Sequence, residues 1–220
     1  MHPSHGTFEL SPLFDLGATF FWAVSGAGLG VRYGYDYTGV FVMAFVSALG
    51  GGLLRDGIFL QHVPVAIQNP DYLIVVVCGA IVGTVGSVAA GGHKPSRAYQ
   101  GLLNIVDSLG LGAYACVGAQ LTLKMGLPVQ AAILVGVVNG VGGGLLRDVL
   151  VNRIWMLPGQ ILTIAAFIGV VLFVALLELT PVPAGQAALA AIALTFIIRM
   201  LAIRFDWRTR ALVSRTEESN

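Results

Sequence analysis

Seven stretches of mostly apolar residues recur along the chain, separated by short breaks rich in Gly, Pro, Asn and Asp. They run from Leu13 to Val31, Thr38 to Phe59, Tyr72 to Ala90, Leu102 to Leu123, Val129 to Val151, Ile161 to Leu179 and Ala184 to Ile203. The breaks are Tyr33-Gly34-Tyr35-Asp36, Pro64 with Asn69-Pro70, Gly91-Gly92-His93-Lys94-Pro95, Gly126 with Pro128, Pro158-Gly159 and Pro181-Val182-Pro183. None of the stretches sustains an apolar/polar alternation, and each has about the 20 residues a helix needs to cross a bilayer. The pattern therefore predicts an all-α integral membrane protein with seven transmembrane helices.

Composition strengthens that reading: 56% of the 220 residues are hydrophobic and only 10% charged. Residues 1–12 hold no Lys or Arg, so the first span is expected to be retained rather than cleaved as a signal. A net charge of +1, without a basic stripe interleaved with aromatics, speaks against a nucleic-acid partner. No Ser/His/Asp or Cys/His set and no phosphate-cradling loop is present, so neither an enzyme nor a cofactor is expected. Cys78 and Cys116 sit in apolar stretches, and His2, His5, His62 and His93 fall in termini and loops, so no metal site is expected.

With the N-terminus outside, the inner segments hold Arg32, Lys94, Arg97, Arg147, Arg153, Arg204, Arg208, Arg210 and Arg215, and the outer ones only Arg55 and Lys124. This bias predicts an outside N-terminus and a cytoplasmic C-terminus in the cell's inner, plasma membrane. Residues 1–204 read as one transmembrane domain and 205–220 as a cytoplasmic tail, with Trp207 at headgroup level. Arg199, near the inner end of the last span, reads as a snorkelling side chain.

The heptapeptide Gly50-Gly51-Gly52-Leu53-Leu54-Arg55-Asp56 returns 92 residues later as Gly142-Gly143-Gly144-Leu145-Leu146-Arg147-Asp148. At the same offset Asp15 matches Asp107, Ala23 Ala115, Gly26 Gly118, Ala27 Ala119 and Val46 Val138. The second copy lies three spans further along, an odd displacement, so it enters the membrane from the opposite side. The fold expected is an inverted 3+3 repeat, about 13–90 and 102–179, with a seventh helix at 184–203. Inverted repeats place a transport path at the interface of their halves, often through interrupted helices. Glycines in a helix each cost about 1 kcal/mol relative to alanine, so the triplets are expected to loosen the second and fifth spans beside water. Ser47, Gly51 and Arg55, and likewise Asn139, Gly143 and Arg147, follow an i, i+4, i+8 stripe. Gly50, Gly52, Gly142 and Gly144 complete the expected pore or gate. Asp15 and Asp107, acids within spans, are expected to pair with Arg55 and Arg147, either fixing helix packing or lining the two mouths of a path. Asp56 and Asp148 either cap helix ends or share that role. Gly26 with Gly30, Gly79 with Gly83 and Ser87, and Gly136 with Gly140 and Gly144 suit close helix packing, and self-association is expected.

Two copies of an Asp-bearing helix followed by a Gly-Gly-Gly-Leu-Leu-Arg-Asp helix, with a seventh helix after them, resemble the prokaryotic trimeric intracellular cation (TRIC) channel family over about residues 13–203. The resemblance implies a homotrimer in the lipid bilayer, a path in each subunit lined by spans one, two, four and five and kinked at the glycines, and permeability to potassium, sodium or other monovalent cations. Bacterial proteins of the same domain are also named glycine transporters, so the resemblance equally admits a small-solute, glycine-like secondary transporter.

Overall fold

Helix termini in this chain are written locally. In the computed structural model, which describes residues 12–92, 94, 96–151 and 161–207, Pro12 opens helix α1 (Pro12–Arg32). The Asp36 carboxylate caps α2 (Tyr37–Leu54) by accepting from the Gly39 amide at 2.8 Å. Ser96 caps α5 (Arg97–Lys124) through the Tyr99 amide at 3.3 Å, so this span starts a turn before the predicted Leu102. Gly34, Gly92 and Gly126 adopt φ of 73°, 59° and 74° just beyond the ends of α1, α4 and α5, left-handed turns that a side chain would resist. The remaining helices are α3 (Val65–Gln68), which the apolar pattern did not foresee, α4 (Asp71–Ala89), α6 (Val129–Leu150), α7 (Leu162–Leu179) and α8 (Ala184–Arg204). Among the described residues, seven helices are long and apolar enough to span a membrane, and their bounds follow the predicted stretches within a few residues elsewhere. The expectations for residues 1–11, His93, Pro95, Arg153, Pro158-Gly159 and the tail from Arg208 onward lie outside the described residues.

Helix α1 packs on α2 and α4, α5 packs on α6 and α7, α2 and α6 join the two triplets, and α8 lies against α5 and α7. The small-residue spacings are packing surfaces, as expected. A side chain at Gly79 or Gly83 would strike the α1 backbone between Phe20 and Val24, and one at Gly136 or Gly140 the Ala115 or Leu111 carbonyl of α5.

The glycine triplets depart from expectation. Gly142–Gly144 sit inside α6 and Gly50–Gly52 inside α2, so neither triplet breaks its helix. What they supply is proximity. A methyl at Gly51 would run into the Asn139 carbonyl, and one at Gly143 into the Ser47 carbonyl, the same contact carried across the 92-residue offset. The pairings run in opposite senses along the two chains, so α2 and α6 cross antiparallel, with Gly51 and Gly143 at the crossing. The first glycine of each triplet accommodates a leucine from the other helix: Leu146 against Gly50 and Leu54 against Gly142. The third leaves room for an arginine of its own helix, with Arg55 Nη2 and Arg147 Nη2 each 3.8 Å from where a Cβ would stand on Gly52 and Gly144. The helix-propensity cost of the triplets is thus offset by backbone-to-backbone packing that a side chain on the central glycine would prevent.

Helix α2 does change form, but after the triplet. Over Arg55–Phe59 it widens into a π-helical turn, closed by the Leu60 amide donating to the Arg55 carbonyl at 2.9 Å. The second copy of the heptapeptide ends α-helically. The residues that follow differ: Gly57, a poor helix former, comes directly after the first copy and Pro64 seven residues later, whereas Val149-Leu150 prolongs α6.

Because the crossing tolerates no side chain, Gly51→Ala or Gly143→Ala should lower the unfolding midpoint of the detergent-solubilised protein, at a cost of about 1–3 kcal/mol. Gly17→Ala, whose new methyl meets nothing within 4 Å, should leave it unchanged or raise it. Thermal unfolding of the three variants checks this, and equal midpoints would contradict the packing role.

Candidate functional site: two buried charge clusters

The clusters lie on either side of the crossing because Arg55 and Arg147 each stand one turn, roughly 6 Å, beyond the central glycine of antiparallel helices. Around Arg55, the guanidinium turns onto its own neighbour. Nε and Nη2 both donate to the Asp56 carboxylate, the latter at 2.9 Å, and both residues are almost fully buried. Asp56 Oδ2 also accepts from the Val65 amide at 3.0 Å, and so anchors the start of α3. His62, one third exposed, stands 3.6 Å from Asp56.

Asp15 does not pair with Arg55 as expected. Its Oδ2 accepts from the Tyr72 hydroxyl of α4 at 2.5 Å, while Oδ1 is buried without a hydrogen-bond partner. The reason is the competing carboxylate: Asp56, one residue from Arg55, captures the guanidinium before Asp15 can. Below Asp15, the Thr19 hydroxyl donates to the Asp15 carbonyl at 2.8 Å and lies 2.7 Å from the Tyr114 hydroxyl, which donates to the Ala48 carbonyl of α2. A small cavity, about 10 Å³ of space for a water centre, is bordered by Asp15, Gly52, Arg55, Asp56, Tyr72 and Tyr114.

Around Arg147 the expected pairing holds. Nη1 donates to Asp107 Oδ1 at 3.1 Å, and Nε stands 3.5 Å from Asp148. Ser25 of α1 joins the pair, donating to Asp107 Oδ1 at 3.1 Å and accepting from Arg147 Nη1 at 2.9 Å. The Trp22 ring lies under the Arg147 guanidinium, 5.3 Å from its centroid. Arg199 of α8 reaches Asp107 Oδ2 at 3.9 Å.

Each cluster thus borrows from the opposite half. Trp22 and Tyr114 stand at the same offset of 92 residues; the Trp22 ring lies against Arg147, and Tyr114 borders the cavity beside Arg55. Trp22 packs directly over Gly144, whereas the smaller Tyr114 leaves the cavity beside Gly52. The remaining predicted residues, Ser47 and Asn139, are buried against α1 and α5: a side chain at Gly26 would collide with Ser47, one at Gly118 with Asn139, and Asn139 Nδ2 donates to the Tyr114 carbonyl at 2.6 Å. The sequence reading missed Thr19, Trp22, Ser25, Tyr72 and Tyr114, and assigned Arg199 to snorkelling. The Trp22/Tyr114 match was visible at the repeat offset; the others lack a counterpart of similar chemistry. Among the described residues no group of His, Cys, Asp and Glu is arranged to hold a metal ion.

The profile of a family described as Glycine transporter matches residues 12–87 and 104–178. The UPF0126 inner membrane protein YadS of Escherichia coli strain K12 is 32% identical over 193 residues, covering 87% of this chain and 90% of that protein. A UPF0126 membrane protein of Deinococcus radiodurans is 36% identical over 140 residues, 64% of this chain and 62% of the relative's own length. Among solved structures, the TRIC trimeric intracellular cation channel orthologue from Rhodobacter sphaeroides superposes with a TM-score of 0.76 at 29% identity, covering 88% of this chain and 97% of that one.

The two acids should respond differently to neutralisation. Asp107→Asn removes the carboxylate that both Arg147 and Arg199 reach and should cost roughly 3 kcal/mol. Asp15→Asn keeps an acceptor for Tyr72 and should stay within about 1 kcal/mol of the parent. Denaturant titration in micelles checks the order; a larger loss for Asp15→Asn would contradict these pairings.

Proposed function

The chain belongs to the Glycine transporter (UPF0126) family of membrane proteins and shares its fold with TRIC cation channels, and from that premise we propose that it conducts monovalent cations, potassium among them. The path runs through each subunit of a homotrimer, between the inverted repeats, with the N-terminus outside and the C-terminus in the cytoplasm of the inner membrane. The observation that carries the reading is the pair of buried charge clusters, built around Arg55 and Arg147 on opposite sides of one antiparallel helix crossing. Buried ionisable groups in a span are costly and recur where a protein handles ions or water.

In this reading the crossing of α2 and α6 is the barrier. Gly51 and Gly143 lie in backbone contact there, and conduction requires the helices to part, exposing the carbonyls of Ser47 and Asn139 that the closed packing covers. Asp15, Asp107, Asp56 and Asp148 outnumber Arg55, Arg147 and Arg199 by one and supply the negative character a cation path needs.

A second reading, a glycine-like solute carrier working by alternating access, is favoured by the family's description and by the inverted repeat itself. Reconstitution separates the two. The purified protein in planar bilayers under a potassium gradient should give discrete conductance steps, and native mass measurement should give three copies. Saturable glycine uptake into liposomes without conductance steps would overturn the channel reading in favour of the carrier.

A further inference from the structure

Two buried polar atoms of the first cluster have their needs unmet by the protein, and both belong to the wall of one small cavity. Nε and Nη2 of Arg55 are spent on Asp56, which leaves Nη1 a donor without an acceptor. Oδ2 of Asp15 is spent on the Tyr72 hydroxyl, which leaves Oδ1 without a partner. Asp15 is 8% exposed and Arg55 2%, and both line the cavity enclosed by α1, α2, α4 and α5. Buried polar groups are almost always hydrogen-bonded, and those that no protein group reaches are met by ordered water.

Size and chemistry both narrow the occupant. The cavity offers about 10 Å³ to the centre of a water-sized sphere, close to the least that holds one water. A cation on Asp15 Oδ1 would face the Arg55 guanidinium across the same small space, and an anion on Arg55 Nη1 would face Asp15 and Asp56. A neutral molecule that accepts from Nη1 and bonds Oδ1 at the same time satisfies both atoms. Water does this whichever form the Asp15 carboxyl takes, because it can donate to an oxygen or accept from a hydroxyl. A third partner stands on the same wall in Tyr72, whose hydroxyl gives its one proton to Asp15 and keeps a lone pair free to accept. Three partners is the usual number for a buried water.

We propose that the cavity beside Tyr114 is a binding site for a single water molecule, which bridges Asp15 Oδ1 to Arg55 Nη1 and so joins α1 to the π turn of α2. The acid and base that the sequence pairs directly are then paired through one molecule. Tyr114 makes the room. At the 92-residue offset its counterpart is Trp22, whose larger ring packs over Gly144 and lies 5.3 Å from the Arg147 guanidinium, whereas beside Gly52 a methyl would meet only Arg55 Nη2, at 3.8 Å. One heptapeptide is thus completed by a side chain in the second half and by water in the first. The site follows from the packing of the helices and holds whether the chain is a channel or a carrier.

The experiment is a crystal structure of the full chain, at a resolution that shows ordered water, from crystals grown with rubidium bromide so that an ion at the site would reveal itself by anomalous scattering. The parent should show one peak within about 2.7–3.2 Å of both Asp15 Oδ1 and Arg55 Nη1, without anomalous signal. Tyr114→Trp, which installs the side chain found at the matching position, should abolish that peak; the parent alone decides the matter if this variant does not assemble. No peak in the parent where other buried waters are visible, an anomalous peak in its place, or a peak that reaches only one of the two atoms would overturn the proposal. So would a peak that stays in place in Tyr114→Trp.

Discussion

Two helices that enter the membrane from opposite sides meet backbone to backbone at Gly51 and Gly143, and most of the described architecture follows from that contact. Lipid tails are as apolar as leucine, so helices in a bilayer gain little by hiding apolar side chains from it; close packing and polar contacts hold them together. A glycine at the centre of each crossing helix is the means to close packing. Its reciprocity is the inverted repeat expressed in three dimensions: Ser47 opposes Gly143 as Asn139 opposes Gly51, and Leu146 enters beside Gly50 as Leu54 does beside Gly142.

Fixing the crossing fixes the polar layers. Arg55 and Arg147 follow their central glycines by one turn, and so fall on opposite sides of the contact, Arg147 against the Trp22 ring lent by the other half and Arg55 bordering a cavity that Tyr114 of the other half also lines. From there the symmetry lapses. After the first copy α2 widens into a π turn, with Asp56 on Arg55 and Asp15 on Tyr72, whereas α6 stays α-helical, with Arg147 reaching both Asp107 and Asp148. A heptapeptide repeated without change thus produces two electrically different environments. The cause lies in the residues that follow it and in α8.

Span number, span bounds and the inverted repeat were legible in the sequence, because bilayer thickness imposes a length on every apolar run and because a copy displaced by an odd number of spans runs in the opposite direction. The Asp107–Arg147 pair was legible too, from the stripe on α6. The role of the glycine triplets was not. Their cost to an isolated helix is a local quantity, and it suggested a loosened main chain; the compensating gain comes from a partner 92 residues away in sequence. The Asp15–Arg55 pairing failed for a related reason: a one-dimensional stripe does not register that the adjacent Asp56 takes the Arg55 guanidinium while Tyr72 of α4 reaches Asp15. Arg199 was placed by hydropathy at a helix end, and only the packing of α8 on α5 turns it inward.

The claim on which the functional account depends is that the α2–α6 crossing closes the path and must open for ions to pass. A Cβ at Gly50 would stand 3.8 Å from the Cβ of Leu146, close to the roughly 3.8 Å mean of natural disulfides. In a chain carrying Gly50→Cys and Leu146→Cys, with Cys78→Ser and Cys116→Ala to remove the native thiols, oxidation should clasp the two helices. The account predicts that this bridge abolishes potassium flux and that a reductant restores it. A fully formed bridge with undiminished flux would contradict it.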